Sequence, residues 1–383
     1  MMPLALGYHY GFAGPIGAHP VARELPDPFL PTITGGGVLD PTLLADDRVL
    51  QFDDSRTYTL TIHHAAAVTN AALQAKGDQR PYVRVTSDDG MTGDAANLRP
   101  DVPASGETRS FRIEGVWLGS ADDTKPDFVI ERAAPAGTDF DWDEVVIRGS
   151  TFDPGGLRGD GTEISPLRLR IIGRIQRLVI DHCVLGPILV EQLADCADSG
   201  FVSELVITDS IVDGSNFSPQ TALDCVTGTV ELERVTVLGD VNVALLQASD
   251  SIILGTLNVL NQQQSCLRFS AVSPGGSLPR LFEVFGPGRP SDNVPDTPIV
   301  SAFFTSLRFG DPGYATLSVV APSEIVTGAE NGSEMGAFSS LLRPIRLNSI
   351  VNKVDEFKPA GVIAQYVLEG ENAPFAREDE GTT

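Results

Sequence analysis

The chain has 383 residues, carries a formal charge of −24 and has a pI near 4.4. That balance excludes nucleic acid and an anionic membrane as partners, since both recruit Lys and Arg. No apolar run approaches the ~18–20 residues of a membrane-spanning helix, so no membrane insertion is expected.

Taken in order, residues 1–45 are rich in Gly and Pro (GFAGPIG, LPDPFLP, TGGG), with Tyr8, Tyr10, Phe12 and Phe29 among them. Gly and Pro oppose regular structure, and the aromatic residues predict docking along a surface. The first residues lack a basic stretch followed by a long apolar one. No secretory leader is therefore read; the cytoplasm is the default compartment, with export inside an assembly as the other route. Tyr58–Ile62 and Tyr82–Val85 alternate like strands, Ala65–Ala75 fits a turn or two of helix, and residues 87–106 read as a polar loop. Residues 1–105 are thus expected to form an extended N-terminal segment and a cap.

Between residues 106 and 290 one six-residue design recurs. The copies are Ile113–Leu118 (IEGVWL), Ile147–Phe152 (IRGSTF), Ile180–Leu185 (IDHCVL), Ile207–Val212 (ITDSIV), Leu232–Val237 (LERVTV) and Ala248–Ile253 (ASDSII). The first and sixth columns are apolar, the fourth is small, and the second and third are polar or Gly. A flat strand alternates faces strictly, so two adjacent polar columns predict a bend between sheets: in, out, out, in, out, in. The intervals shorten from the Ile113–Ile147 step to the Leu232–Ala248 step. Coils whose loops bulge outward tolerate such unevenness, because closure entropy grows slowly with loop length. The predicted class is all-β, a right-handed parallel β-helix solenoid over 106–290. Its outward loops are Asp122–Asp143, Pro154–Ser165 and Glu191–Gly200.

Column five holds Trp117, Thr151, Val184, Ile211, Thr236 and Ile252, which should face outward although most are apolar. A row of exposed apolar side chains marks a covered surface. Trp117, Val184, Ile211 and Ile252 are therefore interface candidates, covered by another part of the chain or by another subunit. A register slipped by one residue in some coils is the plainer alternative.

The chain leaves the coils through the Pro/Gly-rich residues 273–298. Ala315–Val320 reads as a strand. Ser340–Phe357 reads as a helix with Leu347, Ile350, Val351, Val354 and Phe357 on one face, and Val362–Leu368 as a last strand. Residues 291–370 are expected to form a small α+β C-terminal cap, and 371–383 a disordered tail.

Several stretches are similar to an uncharacterised bacterial family of predicted right-handed parallel β-helix, pectate-lyase-like proteins. They are GFAGPIG, RPYVRV at Arg80–Val85, LVIDHCVLGPI at Leu178–Ile188, LVITDSIVDG, VELERVTVLGDVNVALLQASDSIILG, SCLRFSAV, ENGSEMGAF and LNSIVNKVDEFKPAGV. The resemblance spans most of the chain and implies a place in phage-tail-like or contractile-injection gene clusters. It implies no catalytic residues, because the family has none established. The Asp122–Asp143 loop departs from it and reads as an insertion.

For chemistry, column three places His182, Asp209, Arg234 and Asp250 on consecutive coils, with Asp181 and Glu233 beside them. Adjacent coils lie ~4.8 Å apart, so Asp209 and Arg234 can pair. Asp181, His182, Asp209, Arg234 and Asp250 are the candidates for a catalytic or recognition strip. The plainer reading is a salt-bridged, solvated corner. Glycoside hydrolysis needs two carboxyls at a defined separation, and no NTD, DD-in-strand or GHG motif accompanies the strip.

Other motifs carry less. His63 and His64 face opposite ways in a strand and cannot share a metal. Asp53–Asp54 and Asp88–Asp89 could serve calcium, but such pairs are expected among 51 acidic residues. Ser333 in GSEMG does not meet GxSxG, and Gly35–Gly37 lacks the strand and helix of a phosphate loop. Cys183, Cys196, Cys225 and Cys266 have neither CxxC nor metal-ligand spacing, and Cys183 fills the small inward column. No metal and no cofactor is expected.

These features predict a non-enzymatic structural or adhesion module with protein partners or self-association, inside a larger assembly. The alternative is a polysaccharide lyase, a glycoside hydrolase or a carbohydrate-binding protein that uses an outer face.

Overall fold

The computed structural model describes residues 12–13, 16–17, 32–39, 49–61, 70–77, 79–86, 96–98, 109–121, 126–132, 140–157, 163–191, 200–216, 220–288, 295–311, 313–345, 349, 352 and 354. The chain is all-β, and its main sheet is built from parallel pairs arranged in three ladders. The first ladder sets the register. Leu50, Leu73, Ile113, Ile147, Ile180, Ile207, Leu232, Ala248, Leu267 and Leu281 stand opposite one another from strand to strand. The six columns read from the sequence are therefore in register as aligned, and the slipped alternative falls. All of this column except Leu281 is buried, as are the sixth-column residues Leu118, Phe152, Leu185, Val212, Val237 and Ile253.

The second ladder carries columns five and six, from Thr57–Thr61 and Tyr82–Thr86 through Trp117–Ser120 to the end of Cys266–Val272. A third ladder runs through Ala96–Leu98, Asp127–Ile130, Arg168–Ile171, Ile188–Val190 and Leu257–Val259, with the starts of the long strands Thr221–Leu238 and Asp240–Ser249 between. Inward side chains of the three ladders fill one continuous apolar core.

Three expectations need correction. The stretch 49–98 does not form a separate cap: Val49–Phe52, Asn70–Ala75 and Tyr82–Thr86 extend the same ladders, and the expected helix at Ala65–Ala75 is the strand Asn70–Ala75 where it is described. Backbone pairing with Ser110–Glu114 outweighs the helix propensity of its alanines. Nor is Asp122–Asp143 an outward loop where it is described. Asp127–Ile130 is a buried strand of the third ladder, and Trp142 opens the next first-ladder strand with its ring buried. Within Pro154–Ser165, Gly156–Leu157 and Glu163–Ile164 form a small antiparallel hairpin.

The C-terminal part is mostly irregular. Ala315–Val320 makes only an isolated bridge from Leu317 to Phe304; Ser323–Val326 is a short α-helix, and Ser301–Phe303 and Ser339–Leu341 are 3-10 turns. Arg343, Pro344, Ile345, Ser349, Asn352 and Val354 are helical, within the span expected to be helix, but Ser340 and Leu341 belong to a separate 3-10 turn that ends at the left-handed Leu342. Leu347, Ile350, Val351, Phe357, the strand expected at Val362–Leu368 and the tail lie outside the described residues. Among the described residues no helix is long and apolar enough to cross a membrane.

This C-terminal part covers column five. Val184, Ile211, Leu238, Ile252 and Ala271 are buried in a second apolar cluster with Ile299, Phe304, Tyr314, Ile325, Met335 and Phe338. Trp117 packs on Tyr82 at 4.6 Å and edge-on to Phe309 at 6.3 Å. The interface candidates Trp117, Val184, Ile211 and Ile252 are thus an internal seam: of the two covers considered, the chain itself supplies the one observed. Gly336 sits against this seam with φ +91°, and a Cβ there would stand 2.6 Å from Thr236 Oγ1. Ala337 N donates to that same oxygen at 3.0 Å.

Candidate functional site

From Ile113 onward the corner between the first and second ladders is turned by one left-handed residue per coil; the coils of Leu50 and Leu73 reach Thr57 and Tyr82 through longer turns. Gly115, Gly149, His182, Asp209, Arg234, Asp250, Phe269 and Glu283 have φ between 43° and 71°. For residues other than Gly this region costs roughly 1–2 kcal/mol. The fourth column supplies compensation. Ser210 Oγ donates to Thr208 O and accepts from Cys183 N at 3.0 Å; Ser251 Oγ donates to Ser249 O at 2.8 Å and accepts from Val235 N at 3.1 Å. Small hydroxyls in that column therefore satisfy backbone groups that the turn takes out of the ladder. Cys183 occupies the same place, with its thiol pointing to Ile147 O and Asp181 O; burial pushes that thiol up to about 12.

The five strip candidates come together on this corner. Asp181 Oδ1 lies 2.7 Å from His182 Nδ1 and accepts from Thr208 Oγ1 at 2.8 Å, while Arg148 Nε is 3.2 Å from Asp181 Oδ2. Burial works to raise the Asp181 carboxyl, but these donors outweigh it and hold the group below the usual range. The same hydrogen bond holds His182 above the usual imidazole range, against burial. Arg234 grips Asp209 with both arms, Nε to Oδ1 at 2.9 Å and Nη2 to Oδ2 at 2.8 Å, and also pairs with Glu233. Asp250 Oδ1 accepts from Glu330 N at 2.7 Å, and Asp250 O accepts from Gly336 N, so the last rung of the strip ties down the C-terminal segment. Burial raises the Asp250 carboxyl above the usual range, despite the Glu330 bond.

Ligand atoms of Asp181, His182 and Asp209 lie within 4.8 Å of one another, close enough to converge on a metal ion. Both carboxylates are already held by guanidinium groups. A cation would have to displace Arg234 from Asp209 and Arg148 from Asp181, so the arrangement suits a charge-balanced ladder better than a metal centre.

The remaining candidates are placed as follows. Asp53 pairs with Lys76 at 2.5 Å, and Asp54 accepts from Gly35 N and the Tyr58 hydroxyl, so this carboxylate pair is spent on the fold. Ser333 is buried with its hydroxyl unbonded and has no histidine partner among the described residues. Cys183, Cys225 and Cys266 are free thiols. His63, His64, Asp88, Asp89 and Cys196 lie outside the described residues.

Two polar groupings were not singled out from sequence. On the outer face of the third ladder Arg170 binds Glu191 at 2.6 Å and Arg168 pairs with Asp127. On that face Asp224 is half-buried, held above the usual carboxyl range by burial, with Asn242 and Asn258 following it in register and joined at 3.0 Å. The polar–apolar–polar triplet RLR at 168–170 was the available signal. Beneath the C-terminal segment, Tyr314 meets Asp213, a contact 101 residues long in sequence that no local pattern announces.

The chain matches no protein-family model, no curated protein and no solved structure.

Proposed function

We propose that this chain is a right-handed parallel β-helix serving as a non-enzymatic structural or adhesion module within a larger, tail-like assembly. Parallel strands joined by crossovers in one sheet are right-handed in about 98% of cases, which supports the handedness. The observation that carries the functional reading is that the strip carboxylates are committed. Asp181 is held by His182, Thr208 and Arg148, Asp209 by Arg234, and Asp250 by the Glu330 amide. Glycoside hydrolysis and lyase chemistry need a carboxyl or base free to exchange a proton with substrate. Incubation with a panel of neutral and acidic polysaccharides, followed by assay of reducing ends and unsaturated products, should yield no turnover. Turnover that is lost in Asp209→Asn would defeat the reading.

A second reading, carbohydrate binding without turnover, is favoured by the third-ladder row. Asp224 has no hydrogen-bond or ion-pair partner among the described residues, and Asn242 and Asn258 extend the same row. Retardation in affinity electrophoresis that disappears in Asp224→Ala with Asn242→Ala would establish it.

A further inference from the structure

The last strand of the first ladder, Arg280–Phe285, pairs on one side with Cys266–Val272. No strand among the described residues pairs with its other side. Leu281 occupies the inward column yet is 42% exposed, and Phe282, in the outward column, is 57% exposed. Phe282 is propped edge-on against Phe269, ring centroids 5.5 Å apart. Arg280 is exposed and has no ion pair with any described residue. The strand has no Pro and no Lys; its exposed charges are Arg280 and Glu283, which flank the apolar pair Leu281–Phe282.

We propose that this edge is closed by the same strand of a second copy, antiparallel to it, about a two-fold axis through Leu281. A closing strand must set an apolar side chain beside Leu281 on the inner face and must cover the Phe282 ring on the outer face. The run Arg280–Leu281–Phe282 meets both needs for itself. In an antiparallel pair, residues directly opposite share a face. With Leu281 opposite the partner's Leu281, the apolar column runs from one copy into the other. Arg280 then falls opposite the partner's Phe282, and Phe282 opposite the partner's Arg280, giving two cation–π contacts on the outer face. Charge favours this end over a flank. Each chain carries −24, and joining end to end keeps the two acidic bodies further apart than joining side by side. The contact is isologous, so it stops at two copies. It is independent of the functional reading above, since a catalytic chain could end in the same way.

Sedimentation equilibrium of the full chain over the micromolar range tests it. Wild type should be a dimer with no larger species. Arg280→Glu, which disturbs no buried side chain, should weaken the dimer at least about tenfold, and Leu281→Lys with Phe282→Lys should give a monomer of unchanged circular dichroism. Val320→Lys, at an exposed apolar residue elsewhere (64% exposed), should leave the dimer intact. A monomer at every concentration overturns the proposal, and so does a dimer indifferent to all changes at 280–282. A concentration-dependent series beyond two copies overturns the two-fold form, because only a head-to-tail contact grows.

Discussion

The phenol of Tyr314 donates a 2.7 Å hydrogen bond to Oδ2 of Asp213, and both side chains are completely buried. Asp213 Oδ1 accepts from the Ser215 amide and hydroxyl. Burial pushes the Asp213 carboxyl above its usual range despite these bonds, and it pushes the Tyr314 phenol well up too. The pair pins the C-terminal segment to the second ladder. Tyr314→Phe keeps the ring but strips a donor from a buried carboxyl, and should lower unfolding free energy by about 1–3 kcal/mol. Urea denaturation at neutral pH measures it; an unchanged midpoint would mean the bond contributes nothing.

A separate buried acid gives a pH signature. Glu334 is held at about 7 by burial, with Arg343 3.9 Å away pulling weakly the other way. Its folded value lies above the ordinary 4.5, so the folded state keeps a proton that the unfolded chain has shed. No penalty exists below pH ~4.5; it accumulates as pH rises and is complete above about 7, reaching on the order of 3 kcal/mol. Glu334→Gln should therefore match wild type at pH 4.5 and exceed it at pH 8. Equal stability of the two proteins at pH 8 would contradict the buried-acid account.

His182 acts in the same direction by another route. Its folded value is raised by Asp181, so it contributes stability that is fully present below the ordinary imidazole value and lost as pH rises through the raised one. In a Glu334→Gln background the remaining decline above pH ~6.5 should vanish on His182→Gly, a change that also suits the left-handed turn. Thermal melts at a series of pH values would reveal it, and a slope that survives the substitution would point to another group.

Within the strip, Arg234→Met would leave Asp209 nearly buried and stripped of its guanidinium. A loss of about 2–3 kcal/mol is expected, most of it recovered when Asp209→Asn is added. The double-mutant cycle measures their coupling directly, and additive losses would show that the two residues act separately.

Gly336→Val tests the seam between the C-terminal segment and the ladders. The new Cβ would meet Thr236 Oγ1 at 2.6 Å in a backbone with φ +91°. Detachment of the segment, with a loss of about 2–4 kcal/mol, should appear as new proteolytic cleavage C-terminal to residue 286 and as dye binding to the uncovered Val184–Ile211–Ile252 row. Protease resistance equal to wild type would argue that the segment is held elsewhere.

The apolar columns were legible because each buried residue repeats beside the same polar pair and small residue; the Ile113 to Ala248 alignment is the observed register. The rungs at Leu50 and Leu73 escape the pattern because the apolar residues Phe52 and Ala75 stand in column three, column five follows only at Thr57 and Tyr82, and Ala71, Ala72 and Ala75 read as helix. Third-ladder strands of three or four residues, such as Asp127–Ile130, are too short to show a period. Sequence alone does not decide what covers column five, because an outward apolar row looks the same whether its partner lies far along the same chain or on another one. Strip pairings such as Arg234–Asp209 followed from adjacent rungs, whereas Tyr314–Asp213 depends on how an irregular segment lies across the ladders.

The single left-handed residue at each corner from Ile113 onward has a consequence for how this chain tolerates changes of length. Elsewhere the path between ladders varies from coil to coil, so added residues can be carried outside the stack. At His182, Asp209 and Arg234 the turn is tight: an extra residue has to be taken up by a longer turn, as in the coils of Leu50 and Leu73, or the following strand falls out of phase and turns its greasy side chains to water. Insertions will therefore be accepted more readily at the other turns than at a corner held by one left-handed residue, which makes that tight corner the timing mark that lets the coils from Ile113 onward stay in step.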